Sequence, residues 1–519
     1  MQKEKLGGRL RLILAAALIL GIFFRLYNID HKAFWFDEAV TAHLMSGYTN
    51  WQMRELYLHL QAKGSGSMPV EEFISYDGPR PERGFSDAVS VLLSEDAGHP
   101  ILYFIAAYHW TRTLQPIFGL VTSIRSLSTI FSIAQLPLMW WLATQLFKSR
   151  RTAAYSVILL ALSPFHILYA QDARSYSLWA ALVLASSSAL LYALTSSSAI
   201  PWTLYGLTVA AGINAHMFFP LTIAAHVSYT ACTVGRKALK PMFLSLVGAG
   251  ILCMPWFWIL SGYSEVLFIN TAWTGQRTNI ITLLAWLGSG ASSIFIDYDI
   301  GGYPLEKLPY LLPPVIAAIA LAIYSISFIM RSEERNPRLF LTLLLTWSLL
   351  PLLLLDLVMG GMRSCVPRYL TPLLLGIGMS AAYMLSEKTR DGSKAWVALI
   401  IVILSSAIIS DAFASQQEVW WNKYLTIDFP KIFAKINASD KPLIISDANY
   451  GLLWSLSWGL KPDARIMVVA EETPRMPLSG HTIFLYLPSD KLRDRLDSKY
   501  AVSPVTGCHG LWSLTEKES

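Results

Sequence analysis

Trp35-Phe36-Asp37-Glu38 sets two adjacent carboxylates among aromatic side chains, just beyond an apolar run from about Leu10 to Tyr27. An acid held at a bilayer edge is costly and is usually functional. In glycosyl transfer such a carboxylate can take the proton of an acceptor hydroxyl as that oxygen attacks the anomeric carbon. Asp37 is the candidate base, and Glu38 could raise its pKa or hold a cation. A second cluster, Tyr169-Ala170-Gln171-Asp172-Ala173-Arg174-Ser175-Tyr176, offers Asp172 as a further acid and Arg174 as a bidentate partner for a carboxylate or phosphate. The third comprises Arg363 and Pro367-Arg368-Tyr369, where Arg368 could stabilise a departing phosphate, with Tyr369 beside it. His99 and His216 fall near expected membrane surfaces. With the carboxylates they could take a divalent cation, although no ligand set is assigned. Trp35, Tyr176 and His216 suit contact with a sugar. Asp297 and Asp299 lie in a longer loop, which suits either acceptor contact or simple solvation.

The same residues also have plainer readings. Asp37 and Glu38 could be solvated loop acids. Arg174 could close the bundle as an ion pair with Asp172 or Asp37, and Arg368 could anchor a span end among lipid headgroups.

These groups need elements to position them, and composition says which kind. Of 519 residues, 54% are apolar and 15% charged, where a soluble chain carries about 25% charge. The mean hydropathy is +0.44. Most of the length must therefore face lipid. Apolar segments near residues 10–27, 122–147, 152–169, 174–194, 202–217, 218–234, 242–260, 311–330, 338–358, 369–385 and 395–413 give roughly eleven spans at about 20 residues each. Basic loops at Lys148-Ser149-Arg150-Arg151, at Arg236, Lys237 and Lys240, at Arg331, Arg335 and Arg338, and at Lys388, Arg390 and Lys394 then test the order. All fall inside with the N-terminus if the stretch 100–118, which carries His109 and Arg112, lies in the interface rather than crossing. The candidate groups all fall on the external face. Nucleotide sugars are cytoplasmic, so a transferase facing outward needs a donor carried on a lipid.

The expected organisation is a transmembrane domain over 1–413, with a first external loop over 28–121 that carries interfacial helices, and an extracytoplasmic α/β domain over 414–519. In that tail, Pro442–Ser446, Arg465–Val469 and Thr482–Leu487 read as strands, separated by helices near Asp428–Asn437 and Asn449–Leu460. Lys63-Gly64-Ser65-Gly66-Ser67 reads as a flexible piece of the first loop.

A net charge of +6 spread over short loops excludes nucleic acid as a partner. Cys232, Cys253, Cys365 and Cys508 are too scattered for a disulfide framework or a cysteine zinc site. Cys365 and Cys508 both fall outside and could pair, but two free thiols fit better. The first apolar run ends on Phe23-Phe24-Arg25 without a small-residue cleavage site, as an uncleaved span would.

The chain resembles the GT-C glycosyltransferases, in the family 39-like branch of protein O-mannosyltransferases and aminoarabinose transferases. The matching marks are Phe24-Arg25-Leu26, Trp35-Phe36-Asp37-Glu38, His99-Pro100-Ile101-Leu102-Tyr103, Ser163-Pro164-Phe165, Gln171-Asp172-Ala173-Arg174-Ser175-Tyr176 and Pro367-Arg368-Tyr369-Leu370. The resemblance implies a polytopic α-helical fold and an inverting transfer from a polyprenyl-phosphate sugar. It further implies that Asp37 activates the acceptor, that Glu38 and Asp172 support it, and that Arg174, Arg368 and His99 lie near the donor phosphate. Two marks depart from the common pattern: His-Pro-Ile stands for His-Pro-Pro, and Gln-Asp-Ala-Arg for Gln-Glu-Ala-Arg, which shortens the reach of the acid at Asp172. No long external module of the protein O-mannosyltransferase kind is evident, so a lipid, glycan or polymer acceptor is favoured over a protein. Membrane lipids are the other partner, and a bacterial inner membrane suits the compact chain. The alternatives are an inactive assembly subunit on the same scaffold, or a lipid or saccharide transporter. A transporter would place ionisable groups near the midplane, and Asp356 is almost alone there.

Overall fold

The computed structural model describes residues 6–63, 66–299, 308–469, 480–498 and 500–517. Lys3 and Lys5, Gly64 and Ser65 of the expected flexible stretch, and part of the loop near 300 lie outside them. The chain divides into two compact units. The first comprises Met1–Ile29, Ala97–Ala107 and Arg125–Gln416; the second comprises Asp30–Asp96, Tyr108–Ile124 and Gln417–Ser519.

The first unit is helical. Ten of the eleven predicted spans are single helices, and among the described residues seven helices are long and apolar enough to cross a membrane: Leu120–Phe147, Tyr176–Thr195, Lys237–Ser261, Pro309–Met330, Arg335–Met359, Pro367–Lys388 and Lys394–Ala414. An eighth arises if Arg150–Ala161 and Pro164–Ala170, bent by 55° at their break, form one span. The bend has a local cause, because Pro164 has no N–H to continue the first helix but suits the first position of the second. The remaining predicted spans form Gly8–Leu26 (19 residues), Ile200–Ala215 (16) and Phe219–Thr233 (15). At 1.5 Å per residue the last two are shorter than the roughly 30 Å of hydrocarbon.

Burial sorts these helices by position. Pro367–Lys388 and Tyr176–Thr195 are the most enclosed, with 83% and 72% of their apolar windows buried, whereas for Lys237–Ser261 the share is 11%. The latter turns Phe243, Leu244, Ile251 and Trp258 outward, as a helix facing lipid must. Trp179, Tyr205, Phe219, Leu190, Phe340 and Met379 fill the core between the enclosed helices. Arg25 is also wholly buried. Its guanidinium donates to Ser132 Oγ (2.8 Å) and to the carbonyls of Gly21 (2.8 Å), Ala161 (2.6 Å) and Leu160 (3.1 Å). These acceptors satisfy a charge that would otherwise be costly to bury.

The second unit is built on a six-stranded sheet in the order β1-β3-β2-β4-β6-β5. The strands are β1 (Met68–Pro69), β2 (Pro442–Ser446), β3 (Arg465–Val468), β4 (Thr482–Tyr486), β5 (Tyr500–Pro504) and β6 (Leu511–Glu516). Strand β2 is parallel to both β3 and β4, and the other pairs are antiparallel. Every residue of β2 is buried, as an inner parallel strand covered on both faces should be. Leu443, Ile445, Met467, Ile483 and Leu485 pack with Leu492, Leu496 and Leu514. The helix Phe36–Ser46 packs on Tyr450–Ser457. The approach is close enough that a Cβ on Gly451 would lie 2.7 Å from Phe36.

Candidate active site

In the first unit the Gln171–Tyr176 segment is a buried turn between the helices Pro164–Ala170 and Tyr176–Thr195. Gln171 anchors it, donating from Nε2 to the carbonyls of Phe24 (3.0 Å) and Tyr27 (2.8 Å) at the end of Gly8–Leu26. The Arg174 N–H bonds the Asp172 carbonyl at 2.7 Å. Its carbonyl accepts from Ser128 Oγ (3.2 Å), which in turn meets Tyr103 OH at 2.9 Å. The turn is thereby rigid, and it brings the Arg174 guanidinium to 3.2 Å from His99 Nδ1. Asp172 is completely buried.

Arg368 lies on the short 3-10 helix Pro367–Leu370 that leads into the enclosed helix Thr371–Lys388. Its guanidinium carbon sits 5.6 to 5.9 Å from the ring centres of Tyr369, Tyr176 and Trp273, within cation–π range. The Tyr169 ring lies 5.3 Å from that of Tyr176. His216 stacks on Trp179 at 3.6 Å and edges Tyr369 at 6.1 Å. His99, Asp172, Arg174, Tyr176, His216, Arg368 and Tyr369 thus gather in one unit. Three aromatic rings form a cup around Arg368, with Arg174 held at His99 in the same unit, an arrangement suited to a ligand that is anionic at one end.

In the second unit Asp37 is the second residue of the helix Phe36–Ser46, where the helix dipole favours a carboxylate. Glu38 is differently employed. Its Oε2 accepts from the Trp35 N–H (3.3 Å), half of a capping box, and from Lys423 Nζ (2.7 Å). Neither side chain of the pair is more than 1% exposed. The Lys423 ammonium lies 5.6 Å from the Trp35 ring, and Tyr424 edges the same indole. The cation held by Glu38 is therefore a lysine that the motif reading missed.

Other expectations resolve more simply. Asp297 and Asp299 are buried rather than solvated, and the Asp297 N–H donates to Ser410 Oγ at 3.1 Å. Arg363 is engaged by Asp356 at 3.0 Å. All four cysteines are free. Among the described residues no three histidine, cysteine, aspartate or glutamate side chains are grouped to hold a metal ion, so no step is derived through one.

Known structures with this architecture exist. The crystal structure of ArnT from Cupriavidus metallidurans bound to undecaprenyl phosphate aligns over 98% of this chain and 98% of its own, with a TM-score of 0.55 and 13% identity. The chain has the ArnT fold. The apo state of that protein aligns over 98% of this chain and 97% of its own, with a TM-score of 0.54 and 13% identity. The archaeal oligosaccharyltransferase AglB from Archaeoglobus fulgidus, in complex with an inhibitory peptide and a dolichol-phosphate, aligns over 88% of this chain and 64% of its own, with a TM-score of 0.49 and 11% identity. No protein-family profile and no curated protein matches the sequence. At 13% identity the likeness is one of fold.

Proposed function

We propose that this protein is an integral-membrane glycosyltransferase that moves a sugar from a polyprenyl-phosphate donor to an acceptor at the extracytoplasmic face, with inversion. The observation that carries the reading is Arg368 among the Tyr176, Trp273 and Tyr369 rings, with Arg174 held at His99 in the same unit. Such a cup can hold a phosphate while its aromatic walls accept a sugar face. The undecaprenyl phosphate bound to the ArnT of like fold supports a lipid phosphate as the ligand.

In this reading Arg174 and Arg368 bind the donor phosphate and neutralise the charge that develops as the sugar leaves. His99, at 3.2 Å from Arg174, holds that guanidinium in place, and Tyr369 lines the phosphate end. Asp37 removes the acceptor proton. Glu38, through the Trp35 N–H and Lys423, fixes the first turn that carries Asp37. Asp172 is a further carboxylate, in the first unit. Trp35, Tyr176 and His216 contact the sugars. The acceptor is a lipid, glycan or polymer of the cell envelope, and the second unit, with the tail after about 414, is extracytoplasmic.

The test is transfer of radiolabelled sugar from synthetic polyprenyl-phosphate donors to membrane-lipid and polymer acceptors by the purified chain. Asp37→Asn is expected to lower turnover by about 10²–10⁴-fold while leaving polyprenyl-phosphate binding intact. Arg368→Ala should instead weaken that binding. Normal turnover by Asp37→Asn would remove the base, and no polyprenyl phosphate released from any donor would remove the reaction.

A further inference from the structure

The segment that runs into the Asp37 helix also walls a cavity of about 430 Å³ within the second unit. That volume falls in the range of about 300–1,000 Å³ usual for small-ligand sites. One wall comes from the helix Phe429–Asn437, on which Pro430, Phe433, Ala434 and Asn437 recur at the three-and-four spacing of a single face. A second comes from Trp458 and Gly459, just past the helix Tyr450–Ser457. The third is the stretch from Asp30 to Phe34, together with Glu418.

Each wall is fixed by bonds of its own. Asn437 donates from Nδ2 to the Gly459 carbonyl (3.0 Å) and accepts at Oδ1 from the Lys461 N–H (2.9 Å), which ties the first two walls together. The Trp458 indole donates to Asp77 at 2.8 Å and meets Phe34 edge-on at 5.6 Å. The Phe433 ring lies directly on Gly459, where a Cβ would come within 2.1 Å of it. The Ala33 N–H donates to the Glu418 carbonyl at 2.7 Å, and the Phe34 carbonyl accepts from Ser455 Oγ at 2.5 Å. Phe433 and Trp458 are thereby held half-buried at the cavity, so a ligand has little ordering to do.

The lining chemistry narrows the ligand. The carboxylates of Asp30 and Glu418 are on exposed residues. The Lys32 ammonium is on a buried residue and donates to the Gln417 carbonyl at 3.4 Å, so it is already engaged. His31 adds an imidazole that can donate or accept. Such a rim disfavours an anion and suits a neutral ligand with several hydroxyl donors. A pyranose ring has that form, with C–H groups on its faces to pack on aromatic rings and hydroxyls at its edge to donate to carboxylates. Phe34 precedes Asp37 by three residues, at most about 11 Å of chain. A glycan with one ring at Phe34 can therefore offer a neighbouring sugar to Asp37.

We propose that this cavity binds one pyranose ring of the acceptor, with its faces against Phe433 and Trp458 and its hydroxyls on Asp30 and Glu418, and hence that the acceptor is a glycan. The acceptor role rests on the transfer reading given above; the binding of a pyranose does not.

The test uses the full purified chain in a detergent without a sugar head group. Saturation-transfer NMR follows methyl glucoside, galactoside, mannoside and N-acetylglucosaminide, with sorbitol and phosphoethanolamine as controls. At least one pyranoside should bind about tenfold more tightly than sorbitol, which carries hydroxyls without a ring. Ala434→Trp, a change at an exposed lining residue, should abolish that binding with an unchanged melting profile. Asp30→Ala combined with Glu418→Ala should weaken it about tenfold. With an oligosaccharide of the preferred sugar as acceptor, Ala434→Trp should raise the acceptor KM about tenfold while polyprenyl-phosphate binding persists. No pyranoside binding above sorbitol, or binding that survives Ala434→Trp, would overturn the site. A preference for phosphoethanolamine over every pyranoside would overturn it too, in favour of a lipid head group. Pyranoside binding lost in Ala434→Trp with an unchanged acceptor KM would overturn the acceptor role. No polyprenyl phosphate released from any donor, with pyranoside binding intact, would overturn that role together with the transfer reading and leave the pyranose site standing.

Discussion

Glu38 and Lys423 are 385 residues apart in the chain, yet their charged atoms meet at 2.7 Å with almost no solvent contact. The carboxylate also closes the first turn of Phe36–Ser46 through the Trp35 N–H, so the pair fixes the turn that carries Asp37. Removing one partner from such a pair strands a buried charge and costs about 3–5 kcal/mol, whereas replacing both with apolar or neutral groups of similar shape costs much less. Lys423→Met should therefore destabilise the chain strongly, and Glu38→Gln combined with Lys423→Met should recover more than half of the loss. Denaturant titration in detergent micelles measures both, and simple additivity of the two single changes would sink the coupling. Only half of this pair was legible in the sequence. Glu38 stands in a dense aromatic-acid motif, but Lys423 sits in Trp421–Thr426 with no periodicity or motif around it, and a contact across most of the chain leaves no local mark.

At the scale of elements, the turn that presents Arg368 hangs on one acid of the preceding helix. Asp356, near the end of Arg335–Met359, accepts from Arg363 (3.0 Å), from the Ser364 N–H (2.6 Å) and from the Ser364 hydroxyl (2.8 Å). Gly361, at φ 152°, makes room for this. A Cβ there would lie 2.2 Å from Arg363 and 2.4 Å from Asp356. Gly361→Ala must displace the ion pair and with it the 3-10 helix of Arg368. A misplacement of about 1 Å can cost about a hundredfold in rate. Gly361→Ala and Asp356→Ala should each lower transfer by that order and weaken polyprenyl-phosphate binding. Ser364→Ala, which keeps the backbone bond, should lose far less. Equal losses in all three would show that the turn is not what places the arginine. In the sequence Asp356 appears only as an intramembrane acid, and its role emerges from bonds seven and eight residues away. The spans and the inner strands were legible because long apolar runs and short apolar runs bounded by charged residues are strong signals. β5 and β6 were not. β5 ends in Ser503-Pro504 and is largely half-exposed, and β6 mixes Leu511 and Trp512 with Ser513, Thr515 and Glu516.

For the molecule as a whole, the six marks that carried the resemblance divide into two kinds of work. Arg25 and Gln171 bind backbone carbonyls at helix ends, while His99, Arg174 and Arg368 stand in or beside the aromatic cup. A motif reports both kinds equally, so the sequence could name the residues without separating scaffold from site. It also carried no sign of the buried titratable groups of the second unit, whose effect is on stability. Asp77, whose Oδ2 accepts from Trp458 Nε1 at 2.8 Å, is pushed up to about 7 by burial, and burial raises Glu95 to about 7 as well. His43, stacked on Trp454 at 3.8 Å, is driven down to about 3 by burial. The signs oppose. Between about pH 4 and 7 the folded chain keeps a proton on Asp77 that the unfolded chain has released, so this contribution is complete below pH 4 and is lost as pH rises through 7. Glu95 acts in the same direction. Between about pH 3 and 6.5 the unfolded chain instead holds a proton on His43 that the folded chain refuses, so that contribution is present above 6.5 and is lost as pH falls. Asp77→Asn should therefore gain stability relative to wild type as pH rises from 5 to 8, and His43→Phe should gain relative to wild type as pH falls from 7 to 4. Melting temperatures of the two variants across that range read both slopes. Parallel curves for Asp77→Asn and wild type would mean that Asp77 does not hold its proton in the fold, and a slope of the same sign in both variants would refute the opposition.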